Sequence, residues 1–133
     1  MIGIDTNVLV RYIAQDDPRQ SRAAVEFIEQ NCSRDTPGFI NHIVLCELVW
    51  VLKRCYKVNQ AEALKVLEQI MRTAQLQIQE PQVVWQALKE AKAGNADFAD
   101  YLSAKINKAA GCEETVTFDV ESAKAIGVRL LAG

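Results

Sequence analysis

Five acidic residues stand where their chemistry would count: Asp5, Glu47, Asp97, Asp100 and Asp119. Asp5 directly follows Ile2-Gly3-Ile4, and Asp119 directly follows Thr117-Phe118, so each closes an apolar, strand-like run. Open parallel sheets bind ligands outside the carboxyl ends of their strands. If these two strands are neighbours in one sheet, both carboxylates project into one crevice. A plainer account is that each aspartate caps the helix that follows it. Glu47 sits within Ile43-Val44-Leu45-Cys46-Glu47-Leu48-Val49-Trp50-Val51-Leu52, and its helical neighbours are Ile43, Val44, Trp50 and Val51. An ionised carboxylate in such a setting is expected to lose hydration and to need compensation. A cation, an arginine such as Arg11, or protonation of the acid would each supply it. Asp97 and Asp100 lie about 60° apart around a helix, so both reach one side. Acids there complement the helix dipole. The small neighbours Ala96, Ala99 and Ala104 point further, to a partly buried position.

A set of carboxylates without histidine or cysteine suits a hard cation, Mg²⁺ or Mn²⁺, better than zinc. The chain has one histidine, His42, and four cysteines, Cys32, Cys46, Cys55 and Cys112, none in a CxxC pair. Cys46 and Cys55 stand among apolar residues and read as reduced core thiols. Carboxylate-held Mg²⁺ suits phosphate chemistry, because the metal polarises a phosphoryl oxygen and lowers the pKa of a bound water. Acids gathered without a cation would repel a phosphate backbone.

The elements that must position these acids alternate between strand and helix. Met1 to Asp5 reads as a short buried strand, expected inside the sheet, and Val8 to Ile13 as a short helix. Asp17-Pro18 is a helix start, an N-cap acid followed by proline at the first helical position, and that helix runs to about Gln30. After the turn residues Thr36-Pro37-Gly38, Phe39-Ile40 is a brief strand, and His42 to Tyr56 is a helix apolar on nearly all sides. Asn59 and Glu62 form a capping-box pattern, with Ala63, Leu64, Leu67, Ile70, Met71 and Ala74 on one helical face. Leu76 to Gln79 alternates as a strand. Pro81 opens a helix that Gly94 stops, and Asp97 to Ala110 is a further helix. Thr115 to Phe118 reads as a strand, Val120 to Ile126 as a short helix, and Val128 to Leu131 as a last strand. This alternation predicts an α/β fold: three layers, α/β/α, around a central, mostly parallel sheet of four to five strands. No linker or repeat divides the chain, so residues 1–133 are expected to form a single domain.

The totals limit the alternatives. A chain of 133 residues, half of them hydrophobic and 24% charged, can bury a core and is not wholesale disordered. The formal net charge of −2 does not mark a strongly basic nucleic-acid binder. The N-terminus MIGIDTN has neither a basic region nor a long apolar stretch. No apolar run approaches the ~20 residues that span a bilayer. A cytoplasmic protein without a membrane partner is the expectation.

In their order along the chain, MIGIDTNVLVRY, VLCELVWVL, ADFADYLSAKI and TVTFD resemble the PIN domain, and within it the toxin ribonucleases of VapC type. The resemblance covers nearly the whole chain. It implies an acidic pocket that binds Mg²⁺ or Mn²⁺ and hydrolyses RNA phosphodiesters. It implies that Asp5 is the first acid, Glu47 the second, Asp100 the third with Asp97 as its alternative, and Asp119 the acid of the final T-x-D motif. Thr117 would place a supporting hydroxyl beside Asp119. Ser103 departs from the two alanines the family often has there. Thr6 and Asn7 could hydrogen-bond a carboxylate or a phosphate, or simply hold the turn. Arg11 would contact RNA, Glu47 or solvent. The resemblance also implies a small antitoxin protein as partner and a homodimer. The helix at Asn59–Ala74, with Val51, Leu52 and Tyr56 before it, offers either a face for such partners or ordinary core.

Two other classes compete. An aspartate-dependent phosphatase would want a second acid two residues after the nucleophile, and position 7 is Asn. A phosphoacceptor domain would want paired acids after its first strand, whereas Asp16-Asp17 follows a helix and reads as a cap. A non-catalytic nucleic-acid-binding domain of the same fold is the other class, and the presence of all the expected acids argues against it.

Overall fold

The computed structural model describes residues 1–133. It divides into two compact units, Met1–Gln79 and Glu80–Gly133.

The first unit runs β1 (Ile2–Gly3), α1 (Thr6–Ala14), α2 (Pro18–Asn31), β2 (Gly38–Ile40), α3 (His42–Cys55), α4 (Gln60–Met71) and β3 (Leu76–Ile78). Its three strands form a parallel sheet in the order β1-β2-β3, with Ile2 opposite Gly38 and Ile40 opposite Ile78. The helix starts follow from their caps. Asp17 accepts from the Gln20 amide at 3.1 Å with Pro18 at the first helical position, and Asn41 accepts from Val44 at 2.9 Å. Asn59 accepts from the Glu62 amide at 2.8 Å, while the Glu62 carboxylate takes the Asn59 side-chain amide at 3.4 Å. Half of the expected capping box is therefore replaced by a contact between side chains. Leu9, Ile28, Ile40, Leu45, Leu48, Leu64 and Leu67 are fully enclosed. At Gly38 the sheet meets this core so closely that a Cβ would lie 2.9 Å from Ile4 Cγ1 and 3.2 Å from Cys32 Sγ.

The second unit runs α5 (Pro81–Ala93), α6 (Phe98–Ala109), β4 (Thr115–Thr117), a 3₁₀ turn (Ser122–Lys124) and β5 (Val128–Leu130). The two helices pack on each other, and β4 pairs with β5 in parallel. Glu90 on α5 holds Lys105 on α6 at 2.6 Å, with both side chains largely buried, and its other oxygen accepts from the Ile126 amide.

The α/β class and the parallel pairing are as the alternation predicts. Several expectations change. The five strands form ladders of three and two rather than one sheet, and β1 is an edge strand. Each strand is only two or three residues long, and both β1 residues are exposed, so its pairing ends after one neighbour. The helix expected over Val120 to Ile126 contracts to one 3₁₀ turn. Asp119 takes the Glu121 amide at 2.9 Å, and Gly127 turns the chain with φ 82. Cys55 is exposed at the end of α3, whereas Cys46 is mostly enclosed. On α4, Ala63, Leu64, Leu67 and Ile70 are buried in the core, Met71 is half-buried and Ala74 is exposed.

Candidate active site

The chain leaves β1 through Ile4 and enters α1 at Asp5, whose extended backbone (φ −81, ψ 162) makes it the N-cap. Asp5 Oδ1 accepts from the Thr6 amide at 2.8 Å, which fixes the carboxylate and leaves Oδ2 for another ligand. The Thr6 hydroxyl donates to Glu47 Oε1 at 2.6 Å across to α3. Thr6 therefore ties together two acids that are 42 positions apart in sequence. Asp5, Thr6, Asn7 and Glu47 line one cavity of about 600 Å³, together with Arg11, Asp16 and Tyr56.

Glu47 itself is not buried among apolar residues. It is exposed, and so are two of the helical neighbours that made its position look enclosed, Ile43 (70%) and Trp50 (60%). The helix buries Val44, Leu45, Leu48, Val49 and Leu52 instead. The reason is geometric: on a helix apolar all round, composition does not say which face is turned to the core. Compensation for a desolvated charge is therefore not what holds Glu47; the Thr6 hydroxyl does. The adjoining Cys46 thiol is pushed up to about 11, by burial and then by the charge of Glu47, so it stays protonated at neutral pH.

Arg11 turns away from Glu47. Its Nη1 donates to Asp16 Oδ1 at 2.9 Å and to Tyr56 Oη at 3.2 Å, and its Nε donates to Gln20 at 2.8 Å. Tyr56 in turn donates to Asp16 Oδ2 at 2.7 Å. The Tyr56 hydrogen bond holds the Asp16 carboxyl below its ordinary range, and Asp16 in return holds the Tyr56 phenol above its own. Asp17 is thus the cap and Asp16 is not. On sequence alone, Asp16 has no role apart from the cap, and Tyr56 stands only as part of an apolar surplus. Arg11 and Asp16, five residues apart across the end of α1, were the one signal available.

In the second unit, Asp97 is the N-cap of α6 in extended backbone (φ −66, ψ 147), and Asp100 lies in the helix's first turn, half-buried. Of the small neighbours, Ala96 and Ala104 are buried and Ala99 is exposed. Asp119 follows β4 and shapes its own turn: its amide donates to Thr117 Oγ1 at 3.0 Å. The contact is made to the backbone of Asp119, whose carboxylate takes the Glu121 amide instead. Within neither unit do three or more His, Cys, Asp or Glu side chains gather at a point that could hold a metal ion. The pair Asp5 and Glu47 presents oxygen donors only, one of them with a fixed orientation. That donor set fits a hard divalent cation that takes one or two carboxylates and keeps several waters.

The sequence model of the PIN domain family matches residues 2–127, spanning both units. No curated protein matches the chain.

Proposed function

Because the chain belongs to the PIN domain family, whose members are generally nucleases, we propose that it is an endoribonuclease dependent on Mg²⁺ or Mn²⁺. The observation that carries the reading is the Asp5–Thr6–Glu47 arrangement lining one cavity. Its acids are held by a backbone amide and by a hydroxyl, without a salt bridge to either carboxylate. Asp5 and Glu47 are the assigned acids of the first unit. Asp100, with Asp97 as its alternative, and Asp119 are those of the second. The sequence resemblance alone assigns Asp5 and Asp100 to the principal ion and Glu47 and Asp119 to its water shell, to a second ion or to the attacking water.

A bound divalent ion would supply Lewis-acid polarisation of the phosphoryl oxygen and a more acidic water. The chain's own residues orient the parts. The Thr6 amide and hydroxyl fix the two carboxylates, and Glu47 Oε2 remains to accept a hydrogen bond from the attacking water. That water oxygen bonds to phosphorus as the bond to O3′ breaks. The water's proton passes to Glu47 Oε2, and a proton from solvent goes to the leaving 3′ oxygen. The products carry a 5′-phosphate and a 3′-hydroxyl.

The finer part of the proposal makes the chain the toxin of a toxin–antitoxin pair, forming a homodimer and neutralised by a small antitoxin protein; sequence resemblance alone supports it. The test is cleavage of single-stranded RNA with and without Mg²⁺ or Mn²⁺, comparing the wild type with Asp5→Asn. The wild type should cleave only with the metal, and Asp5→Asn should be inactive yet folded. Undiminished cleavage by that variant sinks the assignment. A small copurifying protein that suppresses cleavage would support the toxin reading, and its absence from purifications out of the native host would count against it.

A further inference from the structure

We propose that Arg11 and Tyr56 form a seat for a backbone phosphate of single-stranded RNA, and that the Asp16 carboxylate occupies this seat in the free protein. The inference rests on the ribonuclease reading, since it concerns how RNA reaches the same cavity. Three observations carry it. First, Arg11 is the one cationic residue lining a cavity that also holds Asp5, Glu47 and Asp16. Three carboxylates repel a polyanion, so an RNA strand entering here has only this guanidinium to neutralise it. Second, Asp16 is held as a phosphate would be. Its two oxygens take one donor each, Arg11 Nη1 at 2.9 Å and Tyr56 Oη at 2.7 Å. A phosphodiester presents a similar pair of anionic oxygens to a guanidinium. Third, the occupant can leave. The Asp16 side chain is 44% exposed, and it hangs on a loop entered through Gln15 in left-handed backbone (φ 58). Tyr56 is followed by a second left-handed residue, Lys57 (φ 59). Both left-handed residues simply close helices, Gln15 capping α1 and Lys57 following the C-cap of α3, so it is the exposure of Asp16 that lets it leave.

The seat is distinct from the reacting centre. Arg11 lies six residues beyond Asp5, about 9 Å along the α1 axis at ~1.5 Å per residue. It would hold a phosphate flanking the scissile one, and so act as a positioning residue. Gln20, accepting from Arg11 Nε at 2.8 Å, keeps the guanidinium aimed at the seat from the α2 side.

The experiment measures binding of a short fluorescein-labelled oligouridylate to the full chain in EDTA, by anisotropy over a salt series. Circular dichroism checks the fold of each variant. Arg11→Gln should weaken binding roughly tenfold and flatten the slope of log K against log salt by about 0.7, the share of one phosphate contact on a single strand. Asp16→Asn should tighten binding by a few-fold, on the order of one nearby repulsive charge removed near a surface. A folded Arg11→Gln variant with unchanged slope overturns the seat. If Arg11→Gln does not fold, Asp16→Asn decides, and unchanged or weaker binding by that variant overturns the proposal. Metal-dependent cleavage by the wild type, measured alongside, separates the two readings. Cleavage with no Arg11 effect removes the seat alone, whereas neither binding nor cleavage removes both.

Discussion

A hydroxyl donating at 2.6 Å to a carboxylate on another helix makes Thr6 the hinge on which the first unit's acids depend. Removing it frees Glu47 to rotate while leaving the acid itself in place. Thr6→Val keeps the shape and loses only the donor, so RNA cleavage should fall by about 10–100-fold, the range typical of groups that orient metal-site ligands. Thr6→Ser should restore most of it. Equal losses in both variants would mean that the hydroxyl is not the active feature. At this scale the sequence was partly legible. Asp5 and Asp119 stand out because each follows a strand-like run, and Thr6 and Thr117 adjoin them. The surroundings of Glu47 were not legible, because Ile43 and Trp50 are as apolar on an exposed face as on a buried one. Nor was the pairing of Arg11 and Asp16 with Tyr56, which is made across 40 residues by the meeting of α1 and α3.

Elements were read well wherever their ends carry chemistry of their own. Asp17-Pro18, Asn59 and Pro81 each begin a helix in the structure, because a side-chain acceptor or a ring fixed in φ acts locally. The pairing of strands was less legible. A strand of two or three residues has too little pattern to specify its neighbour, and pairing is decided by long-range packing. Gly94, expected to stop α5, has a second role that only the packing exposes. A Cβ there would fall 2.0 Å from the Tyr101 hydroxyl, which accepts from the Ala96 amide at 3.2 Å. Tyr101 is a rigid ring exposed by only 2%, so it cannot swing aside cheaply. Gly94→Ala should therefore destabilise the chain by about 1–3 kcal/mol, the usual cost of overpacking. Gly111→Ala makes the control, since nothing lies near its Cβ, although its φ of 102 adds backbone strain of its own. Chemical denaturation of both variants reads the difference; a Gly94→Ala protein as stable as wild type would show that the α5–α6 corner has room to yield.

For the whole molecule the balance of charge sets the final expectation. The chain carries 17 acidic and 15 basic residues, a formal net charge of −2, so one divalent ion would bring it to neutrality. An ion that binds the folded chain and not the unfolded one stabilises it by mass action, by about 2.7 kcal/mol at a hundredfold excess over the dissociation constant. For a chain of this length that corresponds to a rise in Tm on the order of 10 °C. The rise should appear with Mg²⁺ or Mn²⁺ and be reversed by a chelator. It should shrink sharply in Asp5→Asn, which keeps the shape of the side chain but removes its charge. Nonspecific relief of acidic repulsion predicts something else: an equal rise in the variant, and a similar one from monovalent salt at matched ionic strength. Scanning calorimetry of the two proteins under those conditions separates a bound ion from simple screening. An equal shift in wild type and variant would move the ion away from Asp5, and with it the centre of the proposed chemistry.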